Sequence, residues 1–241
     1  MSERITVVSW DLDGVVFPRL GIQGGALLAY AQPWSYNKPF KPKHSPIAPQ
    51  DRLIRPYTPT FLDRVLDTLQ LSQLSEIQRH EGRHVKPEVA EIIHRIEADM
   101  QFGNTGRPNN ERMVGLTIQR LEEGDVHFER VLFKPEKVKS SDESKYWGLI
   151  ETERELKEQY EKADVAIAVD HWDDNARTIK RLAGKLPHML FILVQDLTSG
   201  ILFSREEMKK YPNVARVAIR KTGKIDIVYM SPGFGEFPVV A

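Results

Sequence analysis

Ile5-Thr6-Val7-Val8-Ser9-Trp10-Asp11-Leu12-Asp13-Gly14-Val15 is the stretch on which the fold turns. Residues 5–10 form a β-rich apolar run long enough for a strand buried on both faces, as in parallel sheets covered by helices. The run stops at an acid. Downstream the pattern alternates. Pro87 stands in the first turn of a helix carrying Val89, Ile92, Ile93 and Ile96, and a short strand follows at 100–104. Met113, Leu116, Ile118 and Leu121 give helical spacing over 109–123, with Gly124 as a stop signal, and 128–133 reads as a third strand. Ser140 and Glu143 fit a capping box for a long helix to about residue 162. A fourth apolar run, 165–169, again ends on an acid, Asp170; a helix over 174–183 and a fifth strand at 189–194 complete the series. Strict alternation of strand and helix predicts an α/β fold with a doubly wound, Rossmann-like parallel sheet.

Two regions fall outside the alternation. Residues 17–84 are far too long for a βα connection, so they read as an inserted cap between the two parts of the core, 1–16 and 85–204. The first part of this insertion is rich in proline, and 61–77 reads as an amphipathic helix. Residues 205–241 read as a C-terminal extension of a helix and a β-hairpin, in which Arg216–Arg220 and Lys224–Tyr229 alternate around Lys221-Thr222-Gly223.

Composition narrows the chemistry. The 241 residues are 41% hydrophobic and 28% charged, within globular ranges. There is no cysteine, which removes thiol catalysis, zinc–thiolate sites and iron–sulfur clusters. The 34 basic and 34 acidic residues cancel, so no global field favours nucleic acid or an anionic membrane, and any such binding needs a local patch. The N-terminal pattern is unlike a signal peptide, and no apolar stretch approaches the ~20 residues of a spanning helix. The expectation is a cytoplasmic protein without membrane attachment. Its oligomeric state is not legible.

In a doubly wound sheet, ligands bind outside the carboxyl ends of the strands. Three strand ends carry suitable groups: Asp11 and Asp13; Thr105; and Asp170 with Asp173 and Asp174 close behind. Two carboxylates two residues apart face the same way, and crowded together they repel until one takes a proton. Mg²⁺, which prefers oxygen ligands, supplies the compensation.

Asp11-Leu12-Asp13-Gly14-Val15 after an apolar strand resembles the first motif of the haloacid dehalogenase superfamily of phosphohydrolases. Asn104-Thr105-Gly106-Arg107-Pro108 resembles its second motif, Lys145 near a helix start its third, and Asp170 with Asp174 its acidic fourth. The likeness covers about residues 1–16 and 85–195. It implies a Mg²⁺-dependent phosphatase acting on a small phosphate monoester. Asp11 would be the nucleophile, Asp13 the general acid–base, and Thr105 and Lys145 the groups holding the phosphoryl oxygens, with Asn104, Gly106 and Arg107 contacting substrate. The metal would be held by Asp11, the Asp13 carbonyl, Asp170 and Asp174. Lys134 is the rival of Lys145, and the choice between Asp173 and Asp174 stays open. His171 and Trp172 read as structural, and His80, His84 and His94 as having no metal role. The Asp13 acid argues against a dehalogenase, and the lack of a span against an ion pump.

Two other readings stand beside this one. The run from Thr105-Gly106-Arg107 to Lys145 resembles the phosphatase half of polynucleotide kinases, which implies a nucleic-acid 3′-phosphate or nucleotide substrate. A non-catalytic phosphate-binding protein on the same fold is the other. Finally, Trp34, Tyr36, Lys38, Phe40, Lys41, Lys43, Arg52, Arg55 and Tyr57 make the insertion a basic, aromatic patch, which reads either as a surface loop held extended by its prolines or as a segment that folds over the sheet end and reads the leaving group.

Overall fold

A computed structural model describes residues 3–18, 40–42, 47–57, 61, 65, 77, 80–138, 140–160, 165–195 and 203–232. The elements in chain order are β1 (Glu3–Trp10), a 3-10 turn (Pro49–Arg52), α1 (Pro87–Arg95), β2 (Met100–Pro108), α2 (Glu111–Glu123), β3 (Arg130–Lys134), α3 (Ser141–Gln159), β4 (Val165–Asp173), α4 (Ala176–Ala183), β5 (Leu190–Val194), α5 (Arg205–Met208), β6 (Val214–Ile219) and β7 (Ile225–Met230). Seven strands form one sheet in the order β3-β2-β1-β4-β5-β6-β7. β1 to β6 run parallel, and β7 closes the edge antiparallel to β6. The chain winds outward one way through β2 and β3 and the other way through β4 to β6, so the topological switch lies between β1 and β4.

Apolar residues of alternate parity cover the two faces. On one face Val8, Trp10, Trp172, Ile192 and Val217 pack against α1 and the end of α2 through Val89, Ile92, Ile93 and Leu121. On the other, Val7, Phe102, Val169, Phe191 and Val214 meet α3, α4 and α5 through Leu149, Ile179, Leu182 and Met208. Two buried faces explain why β1 and β5 read as continuous apolar runs rather than alternating ones. Helix starts follow capping chemistry: Asn110, Ser140 and Asn175 accept from the backbone N–H groups of Met113, Glu143 and Arg177.

Two strands run on beyond the ends expected from sequence. β4 does not stop at Val169; it continues through Asp170-His171-Trp172 to Asp173, held in parallel register with β1 from Glu3↔Val165 to Trp10↔Trp172. β2 likewise runs on through Asn104 to Pro108, so the Thr105-Gly106-Arg107 segment belongs to the strand. The expected hairpin forms, and it extends the main sheet through β5–β6 pairing. No helix among the described residues is long and apolar enough to cross a membrane. Most of the expected 61–77 helix, with Trp34, Tyr36, Lys38 and Lys43, lies outside the described residues.

Candidate functional site

Parity along two neighbouring strands builds the centre of the site. Val7, Ser9 and Asp11 point to one face of β1, and Val169, His171 and Asp173 point to the same face of β4, because successive strand residues alternate. Register pairs Val7 with Val169 and Ser9 with His171, and the Asp11 N–H donates to the Trp172 carbonyl at 2.8 Å. Asp11 and Asp173 therefore emerge side by side at the switch point. Asp174 follows, and the three carboxylates offer oxygens that all lie within 4.8 Å of one another. On the opposite face Trp10 and Trp172 stack with ring centroids 4.9 Å apart, fixing the backbone directly behind both acids.

Lys145, from the second turn of α3, is buried among these acids. Its Nζ stands 2.9 Å from Asp11 Oδ2 and 2.7 Å from Asp173 Oδ2. Burial would depress its ammonium, but Asp11 and Asp173 override that and hold it protonated above the ordinary lysine range. Asp173 is buried too, yet Lys145 and then His171 hold it ionised below the usual carboxylate range. His171 lies fully buried, with Nδ1 3.0 Å from Ser9 Oγ and Nε2 3.4 Å from Asp173 Oδ2. Burial pushes its imidazole below the usual value, so it sits neutral and orients Asp173. For Asp11, burial raises the carboxyl well above its ordinary value; Lys145 opposes this, while Asp173, Asp174 and Asp13 reinforce it. Lys145 meets two of the three acids directly. An all-oxygen, buried, anion-rich cluster of this kind suits a hard divalent cation.

Asp13 is handled differently. Arg107 grips it in a fork, Nε to Oδ2 at 3.0 Å and Nη2 to Oδ1 at 2.8 Å, and Arg83 Nη1 adds a contact to Oδ1 at 2.5 Å. Burial works against ionisation here, but the Arg107 charge and hydrogen bonds, then Arg83 and His80, hold the carboxyl well below its usual range. Arg107 is itself fixed by Thr117 at 2.8 Å and by the Phe17 ring, 4.4 Å from its guanidinium.

The loop joining these groups depends on two glycines. Gly14 has φ +99°, a left-handed conformation, and a Cβ there would overlap the Asp174 carboxylate. At Gly106 a Cβ would meet Ser141 Oγ, so the absence of a side chain lets β2 approach the start of α3. The end of the insertion and the residues just after it tie the loop down: Arg83 donates to the Pro18 carbonyl, and Lys86 Nζ, at the start of the second core segment, donates to the Gly14 carbonyl at 2.5 Å. A cleft of about 190 Å³ opens here, lined by Asp11, Asp13, Arg83, Gly106, Ser141, Asp142, Lys145, Asp174, Asn175, Arg177 and Thr178.

No family model matches the chain, and no curated protein matches it in sequence.

Of the residues expected from sequence, Asp11, Asp13, Lys145, Asp174 and Gly106 meet in the cleft, and Arg107 supports it through Asp13. Lys134 is elsewhere, its Nζ donating to the Val138 carbonyl at 3.2 Å. Asn104 is buried and donates to the Lys145 carbonyl at 3.0 Å, tying β2 to α3. Thr105 is fully buried with its hydroxyl accepting from the Arg107 N–H at 3.2 Å, outside the cleft lining. Asp170 requires a correction. Three residues from Asp173, it has the opposite parity and pairs with Val8 inside the sheet, so Asp173 stands beside Asp11 and Asp170 does not. Arg52 and Arg55 also differ from expectation: Arg52 is engaged by Glu151 at 2.7 Å and the Phe133 carbonyl at 2.9 Å, and Arg55 by Glu136 at 2.9 Å. They anchor this stretch against α3, β3 and the turn that follows β3. The insertion residues that do reach Asp13, His80 and Arg83, carried no local sequence signal.

Burial pushes Asp170 up to about 7, with Arg4 as the opposing charge. Its folded value exceeds the ordinary carboxyl value, so the unfolded chain releases the proton first. This group's contribution is therefore full below about pH 4 and falls as pH rises to about 7. Asp170→Asn should stabilise the protein by about 2–4 kcal/mol at pH 8 and by almost nothing at pH 4. Urea unfolding across that range checks it, and an equal effect at both ends would remove Asp170 as the titrating group.

Proposed function

We propose that this chain is a Mg²⁺-dependent phosphohydrolase of the haloacid dehalogenase type, hydrolysing a phosphate monoester through an aspartyl-phosphate. The observation that supports it most directly is the position of Lys145 between Asp11 and Asp173, with Asp174 alongside, in a cleft at the carboxyl ends of β1 and β4.

Asp11 is the nucleophile. Its carboxylate oxygen forms a bond to phosphorus as the ester P–O bond breaks, dividing one difficult displacement into two easier ones. In the second step water attacks the phosphoryl group, inorganic phosphate leaves and the Asp11 carboxylate is restored. Asp13, placed two residues on and held ionised by Arg107 and Arg83, is poised to take the proton of that water. Protonating the leaving oxygen in the first step requires Asp13 to loosen from its guanidinium partners, so esters of acidic leaving groups should react fastest. Lys145 fixes the nucleophile's orientation and neutralises charge as the dianionic phosphoryl group approaches. Mg²⁺ held among Asp11, Asp173 and Asp174 would supply further neutralisation for two anions brought together.

A Mg²⁺-dependent screen of the purified protein against phosphate esters graded by leaving-group acidity, with sugar phosphates, nucleoside monophosphates and 3′-phosphorylated oligonucleotides included, tests the reading. Release of inorganic phosphate is expected only with the metal present. Titration calorimetry separates the acids: Asp173→Ala should weaken Mg²⁺ binding by at least tenfold and Asp170→Ala by less than twofold. Equal losses would place the metal elsewhere, and no hydrolysis of any ester would sink the enzyme reading.

A further inference from the structure

We propose that Arg83, carried by the last part of the inserted segment, binds the non-bridging oxygens of the substrate's phosphoryl group, so that the insertion completes a site the core leaves short of donors. This rests on the phosphohydrolase reading above.

A phosphoryl dianion needs several N–H or O–H donors, and charged donors serve it best. Lys145 Nζ is held between Asp11 and Asp173, which leaves it at most one N–H for a ligand. Arg107 has its fork on Asp13 and another nitrogen on Thr117, and it does not line the cleft. The Thr105 hydroxyl, fully buried, faces the Arg107 N–H. Of these core groups only Lys145 lines the cleft, and two acids already share its ammonium.

Arg83 does line that space, and its side chain is 7% exposed. Its own partners use it poorly. Nη1 stands both 2.5 Å from Asp13 Oδ1 and 2.6 Å from His80 Nδ1, and the same Asp13 oxygen already accepts from Arg107 at 2.8 Å. Nη2 donates to the Pro18 carbonyl, and Nε is buried with no acceptor. Two guanidiniums thus converge on one carboxylate, whose single charge balances only one of them, and a buried donor without an acceptor lies on the second. A phosphoryl oxygen entering the cleft supplies the missing acceptor and the missing negative charge. Arginine's planar fork suits it better than a lysine would.

The test uses the full chain, Mg²⁺, p-nitrophenyl phosphate as substrate and inorganic phosphate as competitive inhibitor. Arg83→Ala should raise both KM and the phosphate inhibition constant by tenfold or more, while Mg²⁺ affinity measured by calorimetry changes by less than twofold. Arg83→Lys should fall between, and added guanidinium ion should restore part of the loss in Arg83→Ala. If kcat falls while phosphate inhibition is unchanged, Arg83 only positions Asp13 and the proposal is overturned. Should Arg83→Ala fail to fold in a thermal melt, Arg83→Lys, which keeps the charge and loses the fork, decides by the same inhibition constant. A parent protein that neither hydrolyses the ester nor binds phosphate removes the phosphohydrolase reading and this inference with it; an active parent with unaltered phosphate inhibition in the variants removes only the role of Arg83.

Discussion

Asp11→Asn should lower turnover of phosphate esters by at least about 10³-fold while the protein stays folded. The amide has the shape of the carboxyl group but no longer offers an anionic oxygen to phosphorus. The fold should survive because Asp11 is crowded by Asp173 and Asp174, and neutralising it relieves that repulsion. What is lost is the ionic character of the 2.9 Å contact to Lys145, whose Nζ keeps Asp173 at 2.7 Å. Steady-state kinetics with p-nitrophenyl phosphate, alongside a thermal melt, give the answer. The choice of substrate matters, since its phenolate leaves without help from Asp13 and isolates the nucleophile. A near-normal kcat with this ester would exclude covalent catalysis by Asp11.

Gly14→Ala should cost more than about 2 kcal/mol of stability and abolish measurable Mg²⁺ binding. Two independent causes act together. The residue holds φ +99°, where a side chain is strained, and the added methyl would occupy the space of the Asp174 carboxylate. Either the loop from Leu12 to Phe17 opens, breaking the Gly14 N–H to Phe17 carbonyl bond of 2.9 Å, or Asp174 leaves the acid cluster. Both outcomes separate the acids that, under the proposed function, converge on one ion. Urea midpoints and titration calorimetry on the same preparation distinguish backbone strain from loss of the site. A variant with parental stability and parental Mg²⁺ affinity would show that Asp174 is not needed where it stands.

The alternating architecture was legible because buried parallel strands and their helices leave strong patterns, from the apolar run of β1 to the Ser140 cap of α3. The end of β4 was misread for a physical reason. An acid after an apolar run looks like a stop, yet Asp170 continues the strand inside the sheet, where burial favours the uncharged carboxyl. The usable signal was parity: counting in twos from Val169 reaches His171 and Asp173, just as counting from Val7 reaches Ser9 and Asp11. His80 and Arg83 could not be found that way, since their contact with Asp13 spans about 70 residues and depends on how the insertion returns to the core. Arg52 shows the opposite limit. It was conspicuous as part of a basic patch, but its charge is used on Glu151, a partner that no local pattern reveals.

The eight-residue register between β1 and β4 also sets what kinds of change the gene can absorb. Substituting one apolar residue for another inside either strand alters volume and leaves the frame intact. Inserting or deleting a single codon there shifts every later residue to the other face, bringing Trp172 or a lone Asp174 to the place of Asp173. Added codons before Glu3 or Val165 lie ahead of the paired segment and do not disturb the frame. The acids behave like letters in a reading frame: lineages carrying this site should differ freely in spelling along β1 and β4 and in length ahead of them, but scarcely at all in the spacing within them.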